Sequence, residues 1–190
     1  MSLLPFCQWL AGTPGSIALH ESLYMYPLVE STHVLTLCVF LGLAVMWDLR
    51  LLGVTFTNVP MTQLKRRLGL WMTGGFVVMV TTGALLFYAI PVRSYQSIWF
   101  RMKVVALVLA GLNAFVFHRT IDRRIGEWDT DRVPPPAARR AGARSLVLWT
   151  IIVVAGRMIA YNWFDCDKQP QAQVVNVFAG CVVPPAGGGR

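Results

Sequence analysis

The first 49 residues contain neither lysine nor arginine, an absence that no other stretch of that length in the chain shares. It removes the positively charged region with which a cleavable signal peptide begins, so the N-terminus is expected to be retained. Acid is scarce as well, with 9 Asp and Glu against 17 Lys and Arg. There is no internal repeat, no glycine-rich phosphate loop and no nucleophile elbow. Repeat architectures, P-loop nucleotide chemistry and α/β-hydrolase chemistry therefore have no footing. Among the four cysteines, Cys166 and Cys181 have no close Cys-x-x-Cys or His neighbour, which argues against a cysteine-based metal site.

What the chain does have is apolar length. It is 55% hydrophobic with a mean hydropathy of +0.54, too apolar for an ordinary soluble domain of 190 residues. Four apolar runs are long enough to cross a bilayer, at about 29–53, 68–90, 99–118 and 145–164. The expected fold is all-α, a polytopic membrane four-helix bundle forming one transmembrane domain over 1–190. It carries an N-terminal interfacial segment at Leu3 to Leu10 and an outer tail at 165–190. Pro27 is expected to kink or interrupt the outer extension of the first span. Gly74, Gly75, Thr82 and Gly83 should permit close helix approach in the second, with Met72 and Met79 filling gaps on the same stripe.

The net charge of +8 follows from topology rather than nucleic-acid binding, because the cations flank apolar spans instead of forming a stripe interleaved with aromatics. Eleven of the 17 basic residues fall in two windows, Arg50 to Arg67 and Arg119 to Arg144. Short loops rich in Lys and Arg stay cytoplasmic, so both termini are expected outside. Trp47, Trp71, Trp99, Trp149 and Trp163 are expected near span ends, as an aromatic belt.

Ionisable residues inside a membrane are costly and usually face a bundle interior, which singles out Glu30, His33 and Arg157. Helical rise puts His33 and Arg157 in the same outer part of their spans. Glu30 lies three residues before His33, on one stripe with Tyr26. Arg101 and Lys103 begin the third span; Tyr88, Tyr161 and Asn162 lie near that level. An outer-leaflet polar pocket built from Glu30, His33, Arg157, Arg101 and Tyr161 would suit a quinone headgroup or haem b, with His33 the candidate metal ligand. The bland alternative is that Glu30 and Arg157 only lock two helices, with Arg101 and Lys103 snorkelling at the boundary. His33 and His118 cannot ligate one iron, since they stand near opposite ends of their helices, roughly 24 Å apart along the membrane normal. A second haem ligand would have to be His20 or Met158.

Cys166 and Cys181 follow the last span on the side expected to be oxidising, where a disulfide is permitted and would contribute about 3 kcal/mol. Cys7 shares that compartment. Cys38, inside the first span, reads as a buried apolar thiol.

Three stretches carry a resemblance: Tyr26-Pro27-Leu28-Val29-Glu30-Ser31-Thr32-His33-Val34-Leu35, Leu112-Asn113-Ala114-Phe115-Val116-Phe117-His118-Arg119, and Ala155-Gly156-Arg157-Met158-Ile159-Ala160-Tyr161-Asn162. In these and in segment order, the chain resembles a group of bacterial four-helix inner-membrane proteins of unassigned function. A looser architectural similarity links it to four-helix b-type cytochromes and copper-resistance membrane domains. The resemblance implies a bacterial inner membrane. Three functions follow from these features. One is a redox-associated membrane subunit, binding haem or quinone and exchanging electrons with an exoplasmic redox partner. Another is a non-catalytic anchor or assembly module for a membrane complex. A small-solute transporter is the third, which would need a homo-oligomer to form a path.

Overall fold

In the computed structural model, residues 3–161, 166 and 171–181 are described. The elements are α1 (Leu4–Ala11), α2 (Pro14–Glu21), α3 (Met25–Leu52), α4 (Met61–Ala89), α5 (Pro91–Gln96), α6 (Ile98–Val116), α7 (Pro136–Ile159) and α8 (Gln173–Ala179). The chain is an all-α four-helix bundle: α3, α4, α7 and the segment from Ile98 through Glu127 are each long and apolar enough to cross a membrane. At a rise of about 1.5 Å per residue, α3 is roughly 42 Å long, against about 30 Å of bilayer hydrocarbon.

Three helix boundaries differ from the hydropathy-based spans, each for a local reason. Pro27 does not interrupt α3. The helix starts at Met25, so Pro27 sits in the first turn, where a missing N–H removes no intrahelical bond. The Lys65-Arg66-Arg67 cluster lies inside α4, which begins directly after Pro60. α7 begins at Pro136, so that Pro134 and Pro135 end the connecting loop and Pro136 presets the first helical φ. The earlier start carries Trp149 into the middle of α7, where its ring meets Phe40 at 5.0 Å instead of marking a membrane boundary. α3 ends at Gly53 with φ 75°, a left-handed cap; a Cβ there would also stand 3.1 Å from the Arg132 carbonyl.

α3 packs between α4 and α7, and α6 packs on the other side of α7. Two apolar clusters lie along α3. One joins Phe40, Ala44 and Met79, with Leu37, Met72 and Trp149 against them. The other joins Leu51, Met61, Phe117, Trp128, Ala138 and Ala141 near the end that carries the Arg-rich connections, called here the basic end. There the chain past α6 continues through a π-helical turn at Phe117–Ile121 and then tightens into a 3-10 helix at Asp122–Glu127.

At the opposite end, the N-terminal segment forms two short helices docked on the bundle. Thr13 Oγ1 hydrogen-bonds Tyr88 OH at 2.8 Å, and Ser16 Oγ donates to the Tyr88 carbonyl at 2.7 Å. Tyr88 is thereby spent on anchoring α2. The Cys7 thiol is buried and free, and its pKa is pushed up by desolvation. Cys38 is also free but exposed, so it belongs to the outward face of α3 and not to its core. Cys166 and Cys181 are joined in a disulfide, with Cα atoms 5.2 Å apart. Asn162, Trp163, the expected span end at Phe164, and Asp165, Asp167 and Lys168 of the expected turn lie outside the described residues.

Candidate functional site

Five residues from the four long helices meet at one level near the disulfide end: His33 on α3, Thr82 and Gly83 on α4, Lys103 on α6 and Gly156 on α7. His33 Nδ1 lies 2.8 Å from Thr82 Oγ1. The Thr82 hydroxyl donates to the Val78 carbonyl at 2.7 Å, one turn back on its own helix. A hydroxyl has one proton, so Thr82 accepts from His33, which assigns the imidazole proton to Nδ1 and leaves a lone pair on Nε2 of the neutral ring. Gly83 permits the close packing: a Cβ there would lie 3.3 Å from His33 Cε1.

Lys103 faces this group from α6. Its ammonium interacts electrostatically with His33, and a Cβ on Gly156 would stand 3.4 Å from Lys103 Nζ. Lys103 and His33 are both half-buried, while Thr82 is only 8% exposed. No hydrogen bond or ion pair joins the Lys103 ammonium to another described residue. His33 is eight residues below the start of α3, about 12 Å, and Lys103 five below the start of α6, about 8 Å, both at or just inside the hydrocarbon boundary.

The structure brings together only part of the pocket read from sequence. Glu30 is exposed one turn above His33. Arg157 is exposed; its guanidinium lies 5.1 Å from the Tyr161 ring centroid and donates to Tyr161 OH at 3.2 Å. No ion pair links Glu30 with Arg157 among the described residues. Arg101 is turned away to the C-terminal tail. Its Nη1 donates to the Phe178 carbonyl, Nη2 to the Ala179 carbonyl at 3.1 Å and Nε to the Tyr95 carbonyl at 2.9 Å. It caps the end of α8, so its guanidinium is engaged away from His33.

His118 stands at the basic end, where Nδ1 pairs with Asp122 at 3.1 Å, and Asp122 also pairs with Lys65. The His20 ring packs edge-on against Tyr26, with centroids 6.2 Å apart. Met158 is two residues beyond Gly156, about 200° around α7 from the face that meets Lys103. Among the described residues a haem with two axial ligands thus finds no second ligand beside His33. Among the described residues, no group of three or more His, Cys, Asp and Glu could hold a metal ion.

A second ionisable group, missed in the sequence reading, lies at the basic end of α3. Asp48 is 4% exposed and Arg50 is fully buried. Asp48 accepts from Ser145 on α7, and its Oδ2 has no partner. Arg50 Nε donates to the Val59 carbonyl and Nη2 to the Asp131 carbonyl, each at 3.1 Å. The signal was available in Asp48 and Arg50 flanking the helix-ending Gly53, but by hydropathy these charges look like the edge of a span.

The fold defines a class, that of multi-pass α-helical membrane proteins with ionisable groups held between the spans. Within that class, residues 19–162 match the family of unknown function DUF6644, and the chain belongs to that family. No curated protein and no solved structure matches it, so the looser likeness to b-type cytochromes and copper-resistance domains gains no support from relatives.

Proposed function

We propose that this protein is a redox-associated subunit of a bacterial inner membrane that binds a quinone headgroup between His33 and Lys103. The observation that carries the proposal is Lys103: a cation at the level of the hydrocarbon, directed among the other three spans, with no acceptor in the described protein. Such a group marks a functional site in a membrane. It is a donor without an acceptor, and a quinone carbonyl supplies one. His33 Nε2 offers a lone pair to the hydroxyl of the reduced form, so the pair would distinguish quinone and quinol by complementary hydrogen bonds. The same lone pair would suit a haem iron, but the missing second axial ligand and the adjacent ammonium favour the quinone. Electrons would be exchanged with a redox protein at the disulfide end, the end at which His33 and Lys103 stand. The basic end is assigned to the cytoplasm by the excess of arginine in its connections.

Purified protein from a quinone-producing host is expected to carry quinone in its lipid extract and to bind added ubiquinone-1. Lys103→Met and His33→Phe should each lower that affinity at least tenfold while helical content is unchanged. Wild-type protein that neither retains quinone nor binds ubiquinone-1 would refute the proposal, and a Soret band in its optical spectrum would turn the site toward haem.

A further inference from the structure

Asp48 takes no part in the proposed quinone site or in the arginine ties at the basic end, and its surroundings are unlike those of an ordinary carboxylate. It lies on the face of α3 that meets α7 and is 4% exposed, between Ala44 one turn before it and Leu51 one turn after, both buried as well. From α7 the backbone closes on the same spot: a Cβ on Gly142 would stand 3.1 Å from the Asp48 carbonyl and 3.1 Å from Leu51 Cβ. Ala138, Ala141 and Gly142 are buried along that contact. The carboxyl accepts a hydrogen bond from Ser145, and its Oδ2 has no partner among the described residues.

The cations nearest to it are directed elsewhere. Arg50 is two residues on, about 200° around α3, and donates to the Val59 and Asp131 carbonyls. From α4, Lys65 pairs with Asp122, which also takes His118. On α7, Arg144 is exposed, and its Nε donates to the Arg140 carbonyl at 3.3 Å. No ion pair among the described residues includes Asp48. A carboxylate so enclosed needs a counter-charge or several donors, and one hydroxyl does not suffice. Taking up a proton removes the charge instead.

We infer that Asp48 is a proton-binding site: the folded protein holds this carboxyl neutral, and release of its proton to the basic-end face loosens the crossing of α3 and α7. Neither His33 nor Lys103 enters into it, so it holds whatever the site at His33 binds. The donor set selects a proton over a metal ion. Oδ2 and the Ser145 hydroxyl offer two oxygens, whereas hard cations such as Mg²⁺ and Ca²⁺ take about six to eight. No group of three or more His, Cys, Asp and Glu stands there among the described residues. Asp48 is four residues from the end of α3, about 6 Å, while the cluster of Phe40, Ala44 and Met79 closes the way toward the other end. The proton therefore exchanges with the basic-end side. When charge appears on the carboxyl, water has to enter to solvate it, and the close contact at Gly142 is where room must be made.

The test uses the full-length protein in lipid nanodiscs. Near neutral pH, infrared spectra of wild type with and without isotope-labelled aspartate should show the isotope-sensitive C=O stretch of a protonated carboxyl. Asp122 and Asp129 are placed to remain ionised, the first beside Lys65 and the second accepting from the Thr62 amide and hydroxyl. Asp48→Asn should remove the band. Thermal unfolding gives a second readout. In the unfolded chain this carboxyl meets water and ionises, so the native state carries the extra proton and its stability falls as pH rises. Relative to Asp48→Asn, which has no such proton to lose, the wild-type midpoint should drop by several degrees between about pH 5 and about pH 9. Amide exchange over 138–145 should rise across the same range in wild type beyond that of Asp48→Asn. Absence of the protonated band from wild type overturns the proposal, whether or not Asp48→Asn folds. Its persistence in Asp48→Asn, or parallel pH profiles for the two proteins, does so as well. Recovery of the alkaline midpoint with sodium, but not with potassium, would replace the proton by a metal ion.

Discussion

His33 and Asp48 stand 15 positions apart on α3, about 22 Å along its axis, and the two polar regions they anchor are built in opposite ways. At Asp48 and Arg50 the side chains are almost wholly enclosed. Two of the three Arg50 nitrogens are used, both on carbonyls of connections that the prolines hold in place. At His33 and Lys103 the side chains are half-buried, glycines make the room, and the ammonium has no acceptor among the described residues. The first arrangement ties the α3–α4 and α6–α7 connections to the end of the central helix. The second leaves a half-buried cation unpaired among the described residues, as the proposed binding site requires. A charged group close to its final partners has become structure, whereas one left without partners is available for chemistry.

Substitution can break this contrast. Arg50→Ala is expected to have the largest effect on stability, on the order of 4 kcal/mol, because two charge-assisted hydrogen bonds are lost and two carbonyls are left behind. Thermal unfolding in detergent would show it, and Lys103→Met under the same conditions should shift unfolding little or upward. Equal losses for the two would erase the distinction between them. Next in size is the disulfide. Replacing Cys166 and Cys181 by serine should cost about 3 kcal/mol of local stability for a closure of 15 residues, measured as loss of hydrogen-exchange protection in α8.

The glycines sharpen the comparison further. Gly83→Ala should push the His33 ring aside and weaken ubiquinone-1 binding several-fold, since its new methyl meets Cε1 at 3.3 Å against a helix backbone that cannot retreat. Gly156→Ala should be nearly silent, because its methyl would touch the flexible end of Lys103 at 3.4 Å. Binding titrations of both variants settle the pair; a reversed order would mean that Lys103, not His33, is the rigid partner. The smallest effect is expected at the rim. Glu30→Ala and Arg157→Ala should change stability additively, each by less than about 1 kcal/mol, because both are exposed and Arg157 rests on Tyr161. A coupling larger than that in a double-mutant cycle would show that they do pair.

The long-range features of the fold were legible because they depend on composition. Apolar length located four helices, and Met72, Gly75, Met79 and Gly83 marked the face of α4 that approaches α3. Cysteine position placed the Cys166–Cys181 bond. What sequence spacing left undecided was direction around a helix. Arg101 and Lys103 look alike as boundary cations, yet they are about 200° apart on α6: one turns to the carbonyls of α8, and the other to His33. Arg157 and Glu30 share a depth with His33, but depth does not bring side chains together. Hydropathy also trims spans at charges, which hid the enclosed Arg50 and put the start of α7 nine residues late, at 145 in place of Pro136.

Between the two polar regions lies the cluster of Phe40, Ala44 and Met79, closed by Leu37, Met72 and Trp149. Its electrical consequence is insulation. With the bundle set in a bilayer, this apolar plug carries no group that can relay a proton. A proton taken up or released at His33 would exchange with one face of the membrane alone, and chemistry at that site would be uncoupled from charge at Asp48.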